Sequence, residues 1–290
     1  MPLDSLQFDV LATLLPRRSP TSAVAGGSVL HRHAFRLSDD NDIFHSDSLD
    51  VEQVAAGDVE ALILSGFEVE RPRGRQDGLV EVTVFKEGYA PTKLQWVQSG
   101  LLNFFTAVPD EVFGWRLHMA DIAVNKVLAA ASRREARDFV DLAMIHEHVM
   151  PLWLAIWAAP GKDSAFSPLS LVERLSRYNH FSQAQVDDAV DALMPIDATA
   201  VSGKVLDALD EARDVIPKLP RLLAGNLFVD SGGNLVSDLN QIVSGLEDSS
   251  AVAIGPIPDG GWPSGPEIDK AILERIISTF GYDGSSIPAP

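Results

Sequence analysis

The chain has 290 residues, of which 46% are hydrophobic and 22% charged, a composition typical of a globular protein long enough for two domains with buried cores. Its net charge of −18, from 23 basic and 41 acidic residues, excludes a generally basic surface for nucleic acid, so any RNA partner needs a local basic patch. The absence of cysteine excludes disulfides, thiolate metal sites and cysteine nucleophiles.

The opening segment indicates a helix and no export signal. Asp4 and Asp9 stand where a signal peptide would carry positive charge, and no apolar run approaches the roughly 20 residues that span a bilayer. We therefore expect a cytoplasmic protein with no membrane partner. Apolar residues at helical spacing over residues 3–15 predict a first helix, which Pro16 would end.

The first 115 residues are typical of a sheet domain. From Thr21 onward, short β-like runs are separated by glycine and proline. Val80, Val82 and Val84 alternate with polar residues, which is the pattern of a strand with one buried face. We therefore predict a mixed sheet with a few helices over residues 1–115.

The second half is predicted to be helical. Residues 116–150 are rich in Ala, Leu, Met and Arg and contain neither Gly nor Pro, so we predict a helical domain over residues 116–245 and an α+β fold for the chain. Four Gly and four Pro within residues 249–266 predict a tether over residues 246–266. A capping-box pattern and an apolar stripe then predict a terminal helix and tail over residues 267–290, docked on the chain's own body or on a partner.

The stretch from residue 23 to residue 44 holds the most informative motif. A short apolar strand runs into Gly26, Gly27 and Ser28, where paired glycines let the backbone approach a ligand and helix-start N–H groups suit phosphate. Asp40 and Asp42 are two apart, so on a strand they share a face and could hold a hard divalent cation. Phosphate and metal would then share one cleft. Each piece alone is also typical of a plain turn or a solvated acidic loop.

These residues resemble a known family. Gly26-Gly27-Ser28, eleven intervening residues and then Asp-x-Asp resemble the nucleotidyltransferase superfamily of polymerase-beta type. With Arg36 and Ser38 ahead of Asp40, the string is similar to the AbiEii/AbiGii toxin branch, whose members accompany an antitoxin. The resemblance implies a polymerase-beta-like domain with a mixed sheet, followed by an α-helical domain.

The resemblance also implies a reaction and its partners. A nucleoside triphosphate would be attacked at its α-phosphate by an acceptor hydroxyl, on a tRNA 3′ end or on a protein, with Mg²⁺ as cofactor and pyrophosphate leaving. An antitoxin protein is the implied protein partner of such a toxin.

A second charged block lies in the helical half. Asp121 and Lys126 are followed by Arg137, Asp138 and Asp141, similar to the same branch's Asp-to-Lys helix and its Arg-Asp-x-x-Asp motif. On a helix, Arg137 and Asp141 lie one turn apart and can pair, while Lys126 could meet a triphosphate as a point charge. The alternative is a solvated helix face held by such pairs.

The resemblance assigns roles to two sets of residues. The implied catalytic residues are Asp40, Asp42, Lys126, Asp138 and Asp141, of which Asp40 and Asp42 would hold the metal. The implied nucleotide-binding residues are Gly26, Gly27, Ser28, Ser38, Lys126 and Arg137. Asp138 or Asp141 would either orient Lys126 and Arg137 or serve as the base.

The sequence departs from the family pattern in two places. Asn41 replaces an apolar residue between the two aspartates, and Gln95 stands where many such enzymes bring a third carboxylate. Glu81 could substitute if its strand adjoins the site; otherwise Asp40 and Asp42 act alone. A catalytically degenerate protein that keeps the fold and acts through a partner protein is therefore the second hypothesis.

Two basic clusters are candidates for contact with RNA. Guanidinium groups can grip phosphates, and the candidates are Arg71, Arg73 and Arg75 in one loop and Arg133 and Arg134 in the helical half. For the first cluster, the alternative is a loop at a strand end whose arginines only keep it solvated. For His31 and His33, positions on the surface or at the edge of the site are expected.

Overall fold

The computed structural model describes residues 3–34, 36–38, 40–45, 50–71, 77–98, 102–258 and 278–279. Within them, a seven-stranded mixed sheet is followed by a series of helices, which confirms the predicted α+β class. Arg73, Arg75 and most of the predicted terminal helix and tail lie outside the described residues.

Seven strands form the main sheet, in the order β3-β4-β5-β2-β1-β8-β7. Strand β2 runs parallel to β5 and antiparallel to β1, so the predicted mixed character is confirmed. The strands of the described residues are β1 Ser22–Ala25, β2 Asp40–His45, β3 Glu68–Glu70, β4 Leu79–Phe85, β5 Thr92–Gln98, β6 Leu102–Asn103, β7 Val108–Asp110, β8 Gly114–Arg116, β9 Leu227–Asp230, β10 Ala251–Ile254 and β11 Ile257–Pro258.

Helices precede, interrupt and follow the sheet. The predicted opening helix is confirmed, and the Asp4 side chain caps it by accepting from the Gln7 main chain at 2.7 Å. The α-helices of the described residues are α1 Ser5–Leu14, α2 Gly26–Leu30, α3 Val51–Leu64, α4 Met119–Ser132, α5 Ala136–His148, α6 Leu152–Lys162, α7 Pro168–Tyr178, α8 Gln183–Ala189, α9 Ala198–Val215 and α10 Leu239–Asp248.

One hydrophobic cluster joins the sheet to the helices. Along β4, Val80, Val82 and Val84 are buried while their neighbours are half-exposed, as the alternation predicts. The cluster also contains Trp96 of β5 and Trp157 of α6. Because this core includes residues on both sides of position 115, the sheet and the helices after it share one core, in which α4 packs on α2 and α2 packs on β1 and β2. The domain boundaries remain predictions.

The predicted tether is wrong over its first half. Helix α10 continues to Asp248, and Ala251–Ile254 pairs with β9 as an antiparallel strand. The glycines and prolines begin only at Gly255, so the apolar run ahead of them is free to pair with an exposed strand edge. Strand β11 then pairs with β6.

No single helix of the described ranges is both long and apolar enough to cross a membrane. By length and composition alone, the pair of α5 and α6 passes the same test, with a bend of 118° between them.

Candidate functional site

The glycine pair at the end of β1 lies against three polar side chains. Gly26 has a φ of +75°, and a Cβ there would lie 2.1 Å from Oδ2 of Asp42. A Cβ on Gly27 would lie 2.7 Å from Oγ of Ser38 and 3.0 Å from Nη2 of Arg36. Both glycines therefore make room for the chain's own polar groups, at a strand end that leads into a short helix as predicted.

Asp40 and Asp42 share one face of β2, as the two-residue spacing predicts. Both are half-buried, and they alternate with the buried Asn41 and Ile43. The Ser38 hydroxyl donates to the main-chain oxygen of Asp40 at 3.0 Å. Among the residues with described positions, no lysine, arginine or histidine forms an ion pair with either carboxylate. Within that part of the chain, the pair therefore has no counter-charge in direct contact.

This arrangement changes the pKa of Asp42. Burial and the adjacent charge of Asp40 raise the pKa of the Asp42 carboxyl to about 7, while Lys126, Arg133 and Arg137 act in the opposite direction. These three cations belong to α4, its end and α5. The negative pair of the sheet therefore faces a positive wall of the helices, at a separation too large for direct pairing.

A cavity of about 320 Å³ lies between the sheet and α4. Its polar wall consists of Asp42, Gln95, Asn125, Lys126 and Arg133. Apolar side chains, among them Phe44 and Val97, line the remainder. These two stand two residues beyond Asp42 and Gln95 on their strands, so the apolar part continues along the same face of the sheet. A larger cavity of about 630 Å³ lies between α5 and α9, but it contains none of the predicted site residues.

Asp141 is the centre of a buried ion network behind the cavity. Its carboxylate is fully buried and contacts Lys126 at 2.7 Å, Arg36 at 3.0 Å and Nε2 of His31 at 2.6 Å. Burial alone would raise the pKa of Asp141, but the charges of Arg36 and Lys126 hold it well below the usual range. So strongly held an anion is a poor base. Asp141 instead fixes the direction of Lys126.

Two expectations about this network are wrong. Arg137 does not pair with Asp141; its Nε contacts Glu135 at 2.7 Å, because the Asp141 side chain points into the core while Arg137 remains partly exposed. His31 is neither on the surface nor at an edge but buried against Asp141. Burial lowers the pKa of His31 to about 4 despite the nearby carboxylate, so it is neutral and Nε2–H donates. His31 and Asp141 are 110 positions apart in sequence, and only the tertiary structure brings them into contact.

Asp138 has a related position one turn earlier on α5. It is fully buried and accepts two hydrogen bonds from Arg133, at 2.9 and 3.1 Å. Its distance to Lys126 is 3.9 Å. Asp138 therefore orients Arg133, rather than Arg137, at the mouth of the cavity.

The position of the missing third carboxylate is occupied by an amide and, one strand further, by an acid. Asp42 is in register with Gln95, and Gln95 with Glu81. Nε2 of Gln95 donates to Oε2 of Glu81 at 2.6 Å. Among the described ranges, no group of three or more acidic or histidine residues is placed to hold a metal ion. Of the described carboxylates, Asp42 lines the cavity, and Asp40 lies beside it on the same face of β2.

The other predicted residues are distributed unevenly. Ser28 is buried, and its hydroxyl donates to Ala25 at 3.2 Å within the turn. Arg71 lies 3.8 Å from Glu52, beside α3. Arg134 donates to the main chain of His180 at 2.7 Å and lies over the ring of Phe181, so part of its hydrogen-bonding capacity is used in joining the α4–α5 connection to the α7–α8 connection. Arg133 alone of the described arginine candidates for RNA contact lines the cavity.

Comparisons with known proteins give likenesses of fold. No family model and no curated protein matches the sequence. Similar solved structures include JHP933 from Helicobacter pylori, with 18% identity, coverage of 72% of this chain and 89% of that one, and a TM-score of 0.47. They also include MenT4, a nucleotidyltransferase toxin from Mycobacterium tuberculosis, with 17% identity, coverage of 71% and 81%, and a TM-score of 0.49. At these identities function has to be argued from the site itself.

Proposed function

We propose that this chain is a Mg²⁺-dependent nucleotidyltransferase that moves a nucleotide from a nucleoside triphosphate to a hydroxyl acceptor. One observation carries the proposal: Asp40 and Asp42 have no ion-pair partner in the described part of the chain. By contrast, every fully buried aspartate of the described ranges has one; these are Asp58, Asp121, Asp138 and Asp141. Asp42 of this unpaired pair lines a cavity that has cations on its opposite wall.

The donor set fits a hard divalent cation. Mg²⁺ is held in proteins by one or two carboxylates together with water and substrate phosphates, and two half-buried carboxylates on one strand face supply that minimum. Asp40 and Asp42 would hold the ion, which supplies charge neutralisation for the attacking and leaving oxygens. Placing the cation there relieves the repulsion between the two carboxylates.

The chain's own residues bind and orient the triphosphate. Lys126 and Arg133 bring positive charge to the cavity, and the buried Asp141 and Asp138 hold them in fixed directions. Such prior orientation lowers the barrier because little reorganisation remains for the reaction itself. In the transfer, the acceptor oxygen bonds to the α-phosphorus, the bond to the β-phosphate bridge breaks, pyrophosphate leaves and the acceptor proton is released.

The biological role extends the same proposal. From the resemblance of the motifs, the chain acts as the toxin of a toxin–antitoxin pair in the cytoplasm, and its acceptor is a tRNA 3′ end or a protein hydroxyl. Arg133 at the cavity mouth supports an RNA acceptor, whereas the net charge of −18 opposes one everywhere else.

A second candidate, a degenerate binding protein, is favoured by one feature. Gln95 occupies the position in register with Asp42, where a carboxylate would add charge to the metal site. Such a protein would bind a nucleoside triphosphate without transferring it and would act through a protein partner.

The deciding experiment is label transfer. The purified chain is incubated with Mg²⁺, cellular RNA and protein, and each of the four triphosphates labelled at the α-phosphate. Covalent label should appear on one acceptor class, and Asp42→Asn should lower the rate by roughly 10²–10⁴-fold because it removes transition-state stabilisation. The exposed Asp207 of α9 supplies the matched control, Asp207→Asn.

Three results are informative. Equal rates for the parent and Asp42→Asn would contradict the two-aspartate mechanism. Triphosphate binding without transfer to any acceptor would favour the degenerate binding protein. Transfer to protein but not to RNA would assign the acceptor.

A further inference from the structure

Three polar side chains form a row across the sheet at the cavity. Asp42 of β2 pairs with Gln95 of β5, and Gln95 pairs with Glu81 of β4. Residues directly opposite each other on neighbouring strands project from the same face, with Cβ atoms roughly 5 Å apart. The amide of Gln95 therefore stands between two acidic residues on one surface.

The hydrogen bond to Glu81 fixes which end of the amide faces each neighbour. A carboxylate can only accept, so the group of Gln95 that contacts Oε2 of Glu81 at 2.6 Å must be its NH₂. The NH₂ and the carbonyl oxygen of an amide diverge from the same carbon. With the NH₂ directed to β4, the carbonyl oxygen is directed away from β4, toward the β2 side and the cavity that Gln95 lines.

The carbonyl oxygen is also available. Within the described residues, no hydrogen-bond donor contacts it, whereas the NH₂ group is held by a short bond. A neutral amide oxygen is an accepted ligand of hard divalent cations. An amide NH₂ in the same place would repel a cation, so the orientation of this one group decides whether Gln95 helps or opposes metal binding.

We propose that Glu81 is a positioning residue that holds the amide of Gln95 so that its carbonyl oxygen completes the metal site of Asp40 and Asp42. This inference rests on the proposed function, since it concerns the same cation. Asp40, Asp42 and Gln95 then do with two charges and one neutral oxygen what three carboxylates do elsewhere. Glu81 does not contact the ion itself; its effect passes through Gln95.

The inference is tested by measuring Mn²⁺ binding to the full chain without nucleotide. The electron paramagnetic resonance signal of free Mn²⁺ reports how much of the ion is bound. Glu81→Gln keeps the shape of the side chain but can hold the amide of Gln95 in either orientation. We expect a loss of about 3–10-fold in Mn²⁺ affinity for this variant, and a similar loss for Gln95→Leu. The exposed Glu68 on β3 supplies a matched control, Glu68→Gln, which should bind as the parent does.

A double-mutant cycle separates an indirect role from a direct one. If Glu81 acts through Gln95, adding Glu81→Gln to Gln95→Leu should cause no further loss. The exchanged pair, Glu81→Gln with Gln95→Glu, restores the cross-strand hydrogen bond in the opposite sense. It should bind Mn²⁺ at least 10-fold more tightly than the parent, because a carboxylate replaces the neutral ligand. Urea unfolding of each variant checks that the fold is kept.

The outcomes distinguish this inference from the proposed function. If Asp42→Asn abolishes Mn²⁺ binding but Glu81→Gln leaves it unchanged, the positioning role is wrong and the metal site stands. A loss from Glu81→Gln that persists in the Gln95→Leu background would make Glu81 a direct ligand and also overturn the inference. Mn²⁺ binding that survives Asp42→Asn unchanged would overturn both.

Discussion

At the scale of single residues, Gly26 determines part of the geometry of the site. Its positive φ places the turn after β1, and its missing side chain lets Asp42 approach the main chain. From the sequence, the glycine pair was expected to let the backbone approach a ligand. In the structure the approach is to Asp42 and Ser38, so the glycines shape the ligand site through the residues that line it.

Gly26→Ala should disrupt both stability and metal binding. The methyl group would meet Oδ2 of Asp42 at 2.1 Å in addition to the strain of a positive φ. Gly66→Ala is a matched control, because Gly66 has a φ of +89° and open space around it. Both variants should lose about 1 kcal/mol or more of unfolding free energy from backbone strain. Only Gly26→Ala should also lose Mn²⁺ affinity, and equal Mn²⁺ binding by the two variants would contradict the role of the close approach.

Lys126→Met should weaken triphosphate binding while nearly preserving the side chain's volume. Lys126 lines the cavity opposite Asp42, and its ammonium group is held by Asp141 at 2.7 Å. Loss of this charge should reduce triphosphate affinity by about 10-fold, or about 1.4 kcal/mol, in a calorimetric titration. Lys204→Met on α9, where Lys204 pairs with Glu147 at the surface, is the control and should leave the affinity unchanged. An unchanged affinity for Lys126→Met would place this lysine outside triphosphate binding.

At the scale of elements, buried ion pairs hold α4 and α5 in their positions at the sheet. Asp141 of α5 contacts Lys126 of α4, Arg36 of the segment before β2, and His31 at the end of α2. One carboxylate therefore joins four parts of the chain. The segment of Arg36 is joined in addition to the α8–α9 connection, since the Leu37 main chain donates to Asp191 at 2.8 Å.

Asp141→Asn should be one of the most destabilising single substitutions in the chain. It removes the charge that compensates Lys126 and Arg36 in a fully buried place, and such a loss typically costs about 3–5 kcal/mol. Urea unfolding measures the change. Glu135→Gln removes a partner of the half-exposed Arg137 and should cost less than about 1 kcal/mol. Similar costs for the two substitutions would show that the Asp141 network does not hold the helices.

At the scale of the whole molecule, four histidines are held neutral at separate places. Burial lowers the pKa of His31, His33, His45 and His118 to about 4. His118 shows the cause: it is buried, stacks on Phe105 with ring centroids 4.2 Å apart, and its Nδ1 accepts from the Ala120 main chain at the start of α4. Protonation would remove this cap and place a charge in the core.

The chain should lose stability as pH falls from about 6.5 to about 4. The folded-state pKa values of these histidines lie below the unfolded value of 6.5, so through them the unfolded state binds more protons in this window and acid favours unfolding. The raised pKa of Asp42 acts in the opposite direction, but it is one group against four. The expected loss is on the order of several kcal/mol, measured by urea unfolding at fixed high salt. His118→Asn keeps a capping side chain but does not titrate, so its stability should fall less steeply. A His118→Asn variant that loses stability as steeply as the parent would contradict a neutral His118.

The sequence by itself determined the parts of this protein that depend on local spacing. Alternation predicted the buried face of β4, the apolar repeat predicted α1, and the two-residue spacing predicted that Asp40 and Asp42 share a strand face. These features are local because periodicities of two and of 3.6 residues are properties of the backbone itself. The strand Ala251–Ile254 was not predicted, because the composition of this region was averaged with the glycines and prolines that lie after it.

The tertiary structure decided which of these residues meet. The helix spacing that predicted an Arg137–Asp141 pair holds for an exposed helix face, but Asp141 faces the core and finds Arg36 and His31, over a hundred positions away in sequence. Likewise, no sequence pattern places Gln95 between Asp42 and Glu81, because strand order and register are set by packing between distant segments. The sequence supplies the carboxylates and cations of the site, and the long-range packing decides which of them stay unpaired and face the cavity.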